Sequence, residues 1–540
     1  MRKYLAGAVA LAVVLSAAMP AQAGQSIPSI GKWNPYIDFG GLVGNKRSIG
    51  EADLFLPLAQ NNTSMLFADV RTRFDDDSGR EGNFGLGLRH MLDNGWNIGG
   101  YGYFDRRKSA YGNYFNQITL GAEALSLDWD FRFNTYVPVG ERSHSVAALN
   151  TATLSGTAVT LSGAEEKSLG GFDAEAGWRI PLFDANAGQQ LRLYGGGYHF
   201  TANGVSDVTG PRARLEYTLD QMPELWRGAR LSLGLEVQHD DPRGTQTFAS
   251  LRLRVPFEVF TGHRDHPALT AQERRMLDPV VRDVDVVNEI GFAAPETVTA
   301  LASGTSFSVV NSASTSDLNA ALATAGSNST VLLTGTFNTT AATSLQSGQT
   351  VIGGGSLSVR APSGRTATLT LPGATISAAT TGADAATNPA ILMADNSTVD
   401  GLTVNLTRSV GTGSIGVMIN GVSGATVRNS TITASESGGN TAAGVDVLNA
   451  TNITISGNTL TAITTPGNLA IGLGLFSGSS TTVIGNTLSA SGGGATNDRY
   501  VSISGGTVSA GSTGNIRGNG VCNIVAATGT VYFTDGSHCP

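Results

Sequence analysis

The chain has 540 residues, of which only 14% are charged, with 70 glycines and two cysteines. That length exceeds one ordinary domain, and such sparse charge with so much glycine is unusual for a soluble enzyme. The net charge of −8 argues against nucleic acid as a partner.

Met1-Arg2-Lys3 is followed by an apolar run from Tyr4 to Met19 and then by Ala21-Gln22-Ala23. A basic start, an apolar middle and a small-residue end make residues 1–23 a secretory signal peptide, with cleavage predicted between Ala23 and Gly24. The run is about 15 residues, short of the ~20 that a spanning helix needs. Without Arg2 and Lys3 the basic residues fall from 34 to 32 against 42 acidic ones, a net charge of −10.

Residues 24–258 hold all five tryptophans and every lysine beyond the signal. No segment here is apolar enough for a membrane helix, so membrane residence would have to be by strands. Twelve alternating segments are predicted: 34–43, 50–58, 63–74, 82–92, 95–105, 113–125, 127–138, 168–180, 190–200, 209–219, 229–239 and 246–258. In FGLGLRHMLDNGWNIGGYGYFD (84–105), Phe84, Leu86 and Leu88 share one face and Gly85, Gly87 and Arg89 the other. After Asp93-Asn94-Gly95, Trp96, Ile98 and Phe104 oppose Asn97, Tyr101 and Asp105. Leu231, Leu233, Leu235 and Val237 likewise oppose Ser232, Gly234, Glu236 and Gln238.

A soluble sandwich would alternate in the same way, so alternation alone leaves both architectures open. The secretory signal, segment lengths near ten residues and aromatic residues at segment ends favour an outer-membrane barrel, whose strand number is even. Glycine on the inner wall is expected to leave space in a lumen. Short connections such as Asp93-Asn94-Gly95 are expected on the periplasmic side, and long ones such as 139–167 on the outer side. The chain then re-enters the periplasm after Phe257, and anything destined for the surface must return through the pore.

The text FGLGLRHMLDNGWNIGGYGYFD, ITLGAEALSLDWDFRFNTYVPVG and RRMLDPVVRDVDVVNEIG resembles the inverse autotransporters, the intimin and invasin group, over about residues 34–290. The resemblance implies a twelve-stranded antiparallel transmembrane β-barrel in the bacterial outer membrane whose C-terminal passenger is exported through its own lumen. It implies outer-membrane lipid, periplasmic chaperones and barrel-assembly machinery as partners. Within 259–295 it implies a linker occupying the pore from Arg274 to Asn288, and Pro279 would end any helix begun near Thr270. The periplasmic sugar-binding module and the immunoglobulin-like and lectin-like passengers of well-known members are not matched.

From residue 296 the composition shifts to Gly, Ser, Thr, Ala, Asn and Val. TVDGLTVN, TVRNSTIT, TISGNTLT and TVIGNTLS begin at Thr398, Thr426, Thr454 and Thr482, a constant step of 28. GVMI, GVDV, GLGL and YVSI from Gly416, Gly444, Gly472 and Tyr500 keep the same step. No such repeat can bury its own apolar face, so neighbours must stack. Stacking predicts interior columns Val399, Val427, Ile455, Val483 and Val404, Ile432, Leu460, Leu488. It also predicts an outward column of Thr403, Thr431, Thr459 and Thr487. Asp400 and Arg428 fall one rung apart, and Asn458 and Asn486 suit a left-handed turn and a side-chain ladder.

This is a right-handed parallel β-helix over 296–540, and its opening, SDLNAALATAGSNSTVLLTGTF, resembles that of pectin-lyase-like helices. There an amphipathic helix (Leu318, Ala321, Leu322) caps the open end. Cys522 and Cys539, the only cysteines, are expected to pair in an oxidising compartment and to close the other end with Val531, Tyr532 and Phe533.

Cleavage of polysaccharides needs paired carboxylates or a calcium-binding cluster. Beyond residue 340 the acids are Asp384, Asp395, Asp400, Glu436, Asp446, Asp498 and Asp535, with His538 the lone histidine, and no two acids share a repeat column. No catalytic, cofactor or metal residue is therefore assigned. The expected function is an outer-membrane protein that displays its β-helix on the cell surface as an adhesin toward a glycan or protein ligand. A surface-anchored polysaccharide lyase or hydrolase is the alternative.

Overall fold

The computed structural model describes all residues except 1–30, 185–186, 221–227, 258, 260–268, 284, 381–387, 410–412 and 540. The signal-peptide reading and the Ala23–Gly24 cleavage lie outside the described residues. Two compact units are present: residues 1–144 with 165–291, and residues 145–164 with 292–540.

The first unit is a closed barrel of twelve antiparallel strands. These are β1 (Tyr36–Gly44), β2 (Ser48–Gln60), β3 (Ser64–Asp75), β4 (Arg80–Met91), β5 (Asn97–Lys108) and β6 (Tyr114–Leu125). They continue with β7 (Trp129–Val139), β8 (Gly170–Ile180), β9 (Gln189–Thr201), β10 (Val208–Asp220), β11 (Arg230–Asp240) and β12 (Gly244–Pro256). All twelve predicted segments are strands. Closure pairs Tyr36 with Pro256 and Gly44 with Phe248, so no edge is left unpaired.

The alternation resolves as a membrane barrel does. Phe84, Leu86 and Leu88 are 57%, 59% and 54% exposed, while Arg89 between β4's outward residues and the turn is buried. A closed barrel with its aliphatic and aromatic residues outside has a polar interior and an apolar girdle. No described helix is long and apolar enough to cross a membrane. At Gly85 and Gly87 the inner wall does not leave the open space expected of it. A Cβ at Gly85 would run into the Tyr103 ring and one at Gly87 into the Phe67 ring. Glycine makes room for aromatic rings that lie flat against the wall.

The second unit is a parallel β-solenoid. Its strands recur on three faces: Thr398–Asp400, Thr426–Arg428, Ile453–Ser456 and Ser480–Ile484; then Leu402–Arg408, Thr431–Glu436, Thr459–Ile463 and Thr487–Ser491; then Ser414–Asn420, Ala442–Leu448, Ala470–Phe476 and Asp498–Ser504. The 28-residue columns are in register: Val399, Val427, Ile455 and Val483 stack, as do Val404, Ile432, Leu460 and Leu488, and all are buried. Thr403, Thr431, Thr459 and Thr487 stack outward.

One assignment shifts by a residue. The left-handed turn positions are Gly457 (φ 66°) and Gly485 (φ 65°), not Asn458 and Asn486. The asparagines form a buried ladder instead: Asn458 Nδ2 donates to Asn486 Oδ1 at 3.0 Å and Asn486 Nδ2 to Asn515 Oδ1 at 3.1 Å. Glycine takes the conformation that a Cβ resists.

Helix Leu318–Ala325 is capped by Asp317 and buries Leu318 and Leu322 against the first coils. At the other end Val531, Phe533 and Cys539 close the same core, and Cys522 is joined to Cys539 with Cα atoms 5.9 Å apart. The stretch expected as a long loop, 139–167, contains strands Thr151–Ser155 and Ala158–Ser168. Residues 145–164 of it belong to the second unit.

Candidate functional site: the barrel lumen and its linker

Within the first unit, residues 269–283 and 285–287 run through the interior of the barrel, where an extended chain must find partners for its peptide groups. The segment begins with helix α1 (Ala271–Arg275), started by a capping box between Thr270 and Glu273. Trp33 Nε1 donates to Glu273 O at 2.9 Å, and Asn97 Nδ2 to Gln272 O at 2.9 Å. The helix stops at Arg275, before Asp278 and Pro279, because the residue preceding proline avoids the helical region.

From there arginines of the wall take the linker's carbonyl oxygens one after another. Arg89 donates to Met276 O at 2.7 Å and to Asp278 O at 2.6 Å, and Arg254 donates to Leu277 O at 2.8 Å. Arg71 reaches Val280 O at 3.1 Å, Arg73 reaches Asp283 O at 3.2 Å and Arg107 reaches Val286 O at 2.9 Å. Tyr36 and Asn134 add bonds to Leu277 O and Val281 O. Two linker amides are held from the wall as well: Asp283 N by Tyr136 Oη at 2.7 Å and Val286 N by Glu81 Oε2 at 2.9 Å.

Side chains of the linker answer charges of the wall. Arg275 pairs with Asp130, Asp278 with Arg230 at 2.7 Å, Arg282 with Asp105 at 3.0 Å, and Asp285 with Arg47 and Arg107. The wall arginines are themselves anchored: Arg89 by Glu123, Arg254 by Asp38 at 2.9 Å, and Arg71 by Asp53 at 3.0 Å. Charges removed from water this completely persist only when paired and hydrogen-bonded. Met276 and Val280 enter an aromatic layer in which Tyr36, Phe55 and Phe67 stack at 4.9 and 4.7 Å. Arg254 lies 3.4 Å over the Tyr36 ring, a cation–π contact.

The wall bonds described above fall between Gln272 and Val286, which overlaps the stretch Arg274 to Asn288 that the family resemblance implies for the pore. Sequence reasoning put Arg89 on the polar face of its strand but gave the wall residues no role toward the linker. The signal that could have found them is Arg71, Arg73, Arg89, Arg107 and Arg254, each on the polar face of an alternating strand.

In the solenoid, the carboxyl of Asp446 stands between Met418 and Gly474 on neighbouring rungs. It is only 8% exposed, and burial pushes its pKa up to about 7. Among the described residues no group of three or more His, Cys, Asp or Glu side chains is placed to hold a metal ion.

The inverse autotransporter β-domain family matches residues 20–197. No curated protein matches the sequence. Among solved structures, the chain is similar to an outer-membrane channel from Pseudomonas putida F1, with 11% identity and a TM-score of 0.32 over 44% of this chain and 100% of that one. It is also similar to the β-domain of the Bordetella autotransporter BrkA, with 12% identity and a TM-score of 0.23 over 41% of this chain and 98% of that one. The translocator domain of the autotransporter NalP from Neisseria meningitidis gives 10% identity and a TM-score of 0.21 over 47% and 97%. These likenesses are distant.

Proposed function

We propose that this chain, whose residues 20–197 match the inverse autotransporter β-domain family, exports its own β-solenoid through its outer-membrane barrel and displays it on the cell surface as an adhesin. The observation that carries this reading is the linker held in the lumen. Most of its bonds from the wall go to peptide carbonyls, which every residue of a passing chain offers in turn. A wall built to bind backbone is indifferent to sequence, as a conduit for 28-residue repeats must be. Side-chain pairs such as Arg282 with Asp105 then hold one segment in place once transport ends.

Adhesion is supported by the outer face of the solenoid, where Thr431 and Thr459 are exposed in a regular ladder. Rungs about 4.8 Å apart present hydroxyls at fixed intervals over a long surface, which suits a glycan or an extended protein segment. The test is protease shaving of intact cells. Loss of residues 300–540 while periplasmic markers survive is the expected result, and full protection of the solenoid under those conditions refutes surface display.

A second reading, a polysaccharide lyase or hydrolase, draws on Asp446, whose carboxyl would exchange a proton near neutrality. Its column offers Met418 and Gly474 rather than a second carboxylate. Incubating the purified protein with calcium and polygalacturonate decides between the two: new unsaturated or reducing ends that disappear in Asp446→Asn would establish the enzyme.

A further inference from the structure

The second unit is discontinuous in sequence: residues 145–164, encoded between β7 and β8, fold with residues 292–540. Strands Thr151–Ser155 and Ala158–Ser168 form a tight hairpin, with Val159 opposite Leu154 and Leu161 opposite Ala152. The turn is Gly156-Thr157, with Gly156 at φ 60°, a two-residue connection that matches strand twist. Val159 and Leu161 are buried in one cluster with Phe307, Leu332, Ile352 and Leu369. Asn150 Nδ2 donates to Thr366 O at 3.1 Å and Asn311 Nδ2 to Gly156 O at 3.3 Å.

One column of the solenoid explains why this cover is needed. Val309, Leu332, Ile352, Asp400, Arg428 and Ser456 stack on successive rungs. Val331 and Leu333, on either side of Leu332, belong to the interior core, so this column points outward. The next three rungs carry polar residues there and a single exposed isoleucine, Ile484, follows on the rung beyond, but the first three carry aliphatic residues in succession. A first coil folding alone would expose that apolar face, and a solenoid end is where stacking has no neighbour to build on.

We propose that hairpin 151–162 is a built-in folding template for the solenoid: a local antiparallel ribbon on which the first coils, 307–371, collapse and from which coil formation proceeds toward the C-terminus. A two-residue hairpin closes by local contacts, whereas pairing of the first coils joins residues 20 or more apart, as in Leu332 with Ile352, so the ribbon is the faster element. Initiation from a preformed end gives growth one direction.

The experiment refolds the full-length oxidised chain from urea into detergent micelles and follows protease resistance of residues 300–540, with heat-modifiable gel migration reporting the barrel separately. Leu161→Ala is expected to slow recovery of the resistant fragment about tenfold while leaving its unfolding rate near that of the parent. A variant that only unfolds faster, with refolding unchanged, would make the hairpin a late clasp and overturn the template. Unchanged rates in both directions would overturn it equally. If the change disturbs barrel migration, Val159→Ala takes its place, and slower refolding supports the template while unchanged refolding overturns it. Neither outcome depends on which side of the membrane the solenoid occupies, so failure here is distinguishable from failure of surface display.

Discussion

Barrel and solenoid bury opposite things. The solenoid hides aliphatic columns such as Val404, Ile432, Leu460 and Leu488 and turns its hydroxyls outward. The barrel hides Arg71, Arg89, Asp105 and Asp130 and turns Phe84, Leu86 and Leu235 outward. Both are made of alternating strands, so alternation does not specify which face is the inside; the solvent does. The difference also concerns what each interior is for. An aliphatic core is closed to everything but itself, while a lumen of anchored charges can hold a peptide and let it go.

The largest effect that would break this comparison is expected from Arg89→Ala. Arg89 anchors to Glu123 and donates to two linker carbonyls. Its removal leaves a buried carboxylate and two peptide oxygens without those partners, at a cost of about 3–5 kcal/mol. The measurable outcome is a lower temperature for the heat-modifiable gel shift, with the linker cut near residues 276–288 by added protease. A double change that also removes Glu123 should recover part of the loss. If Arg89→Ala alone leaves both readouts unchanged, the wall does not hold the linker.

Asp446 is a buried titratable group of the solenoid, as such groups are in the lumen, but among the described residues no charge partner stabilises it. Burial raises its folded-state pKa to about 7, above the unfolded value of about 3.9, so the neutral acid is the form that folds. Stability is therefore whole below about pH 4 and is lost as pH climbs through about 7. Asp446→Asn should remove that slope and stabilise the solenoid at pH 8 by up to about 4 kcal/mol. Urea midpoints at pH 5 and pH 8 check it, and an unchanged slope in the variant would show that Asp446 is not the titrating group.

A smaller effect tests the buried asparagine ladder of the solenoid, Asn458, Asn486 and Asn515. In Asn486→Ala, Ile455 O loses the donor at 2.8 Å and Asn458 N loses the acceptor at 2.9 Å. The cost expected from stranding such groups is about 1–3 kcal/mol, read as a lowered thermal midpoint for protease resistance of the solenoid.

How much of the molecule is legible in its sequence follows from whether an interaction has a period. The twelve strands and the 28-residue columns repeat, and both can be read from residue spacing alone. Arginine-to-carbonyl bonds leave no mark in sequence, because every residue has a carbonyl, so Arg89 can be placed on the inner face without its partners Met276 and Asp278. Asn458 reads one residue away from its role because Asn and Gly both suit left-handed turns; Gly457 takes the turn. Hairpin 151–162 alternates cleanly as TATLSGTAVTLS yet reads as part of a long loop, since its burial partners lie beyond residue 297.

The smallest expected effect sharpens the comparison most directly. Arg428 and Asp400 form an ion pair at 2.8 Å on successive rungs, with side chains 47% and 16% exposed. Arg89 and Glu123 form the same kind of pair with both side chains 1% exposed. Water screens the first and is excluded from the second, and holding long side chains in register on a surface costs entropy that offsets most of the attraction. Arg428→Ala should therefore change solenoid stability by about 1 kcal/mol or less, and the change should shrink in high salt. A double-mutant cycle on Asp400 and Arg428, set beside one on Glu123 and Arg89, measures what surroundings alone contribute to one pairing chemistry. If the two coupling energies came out equal, burial would not be what makes the lumen grip its linker.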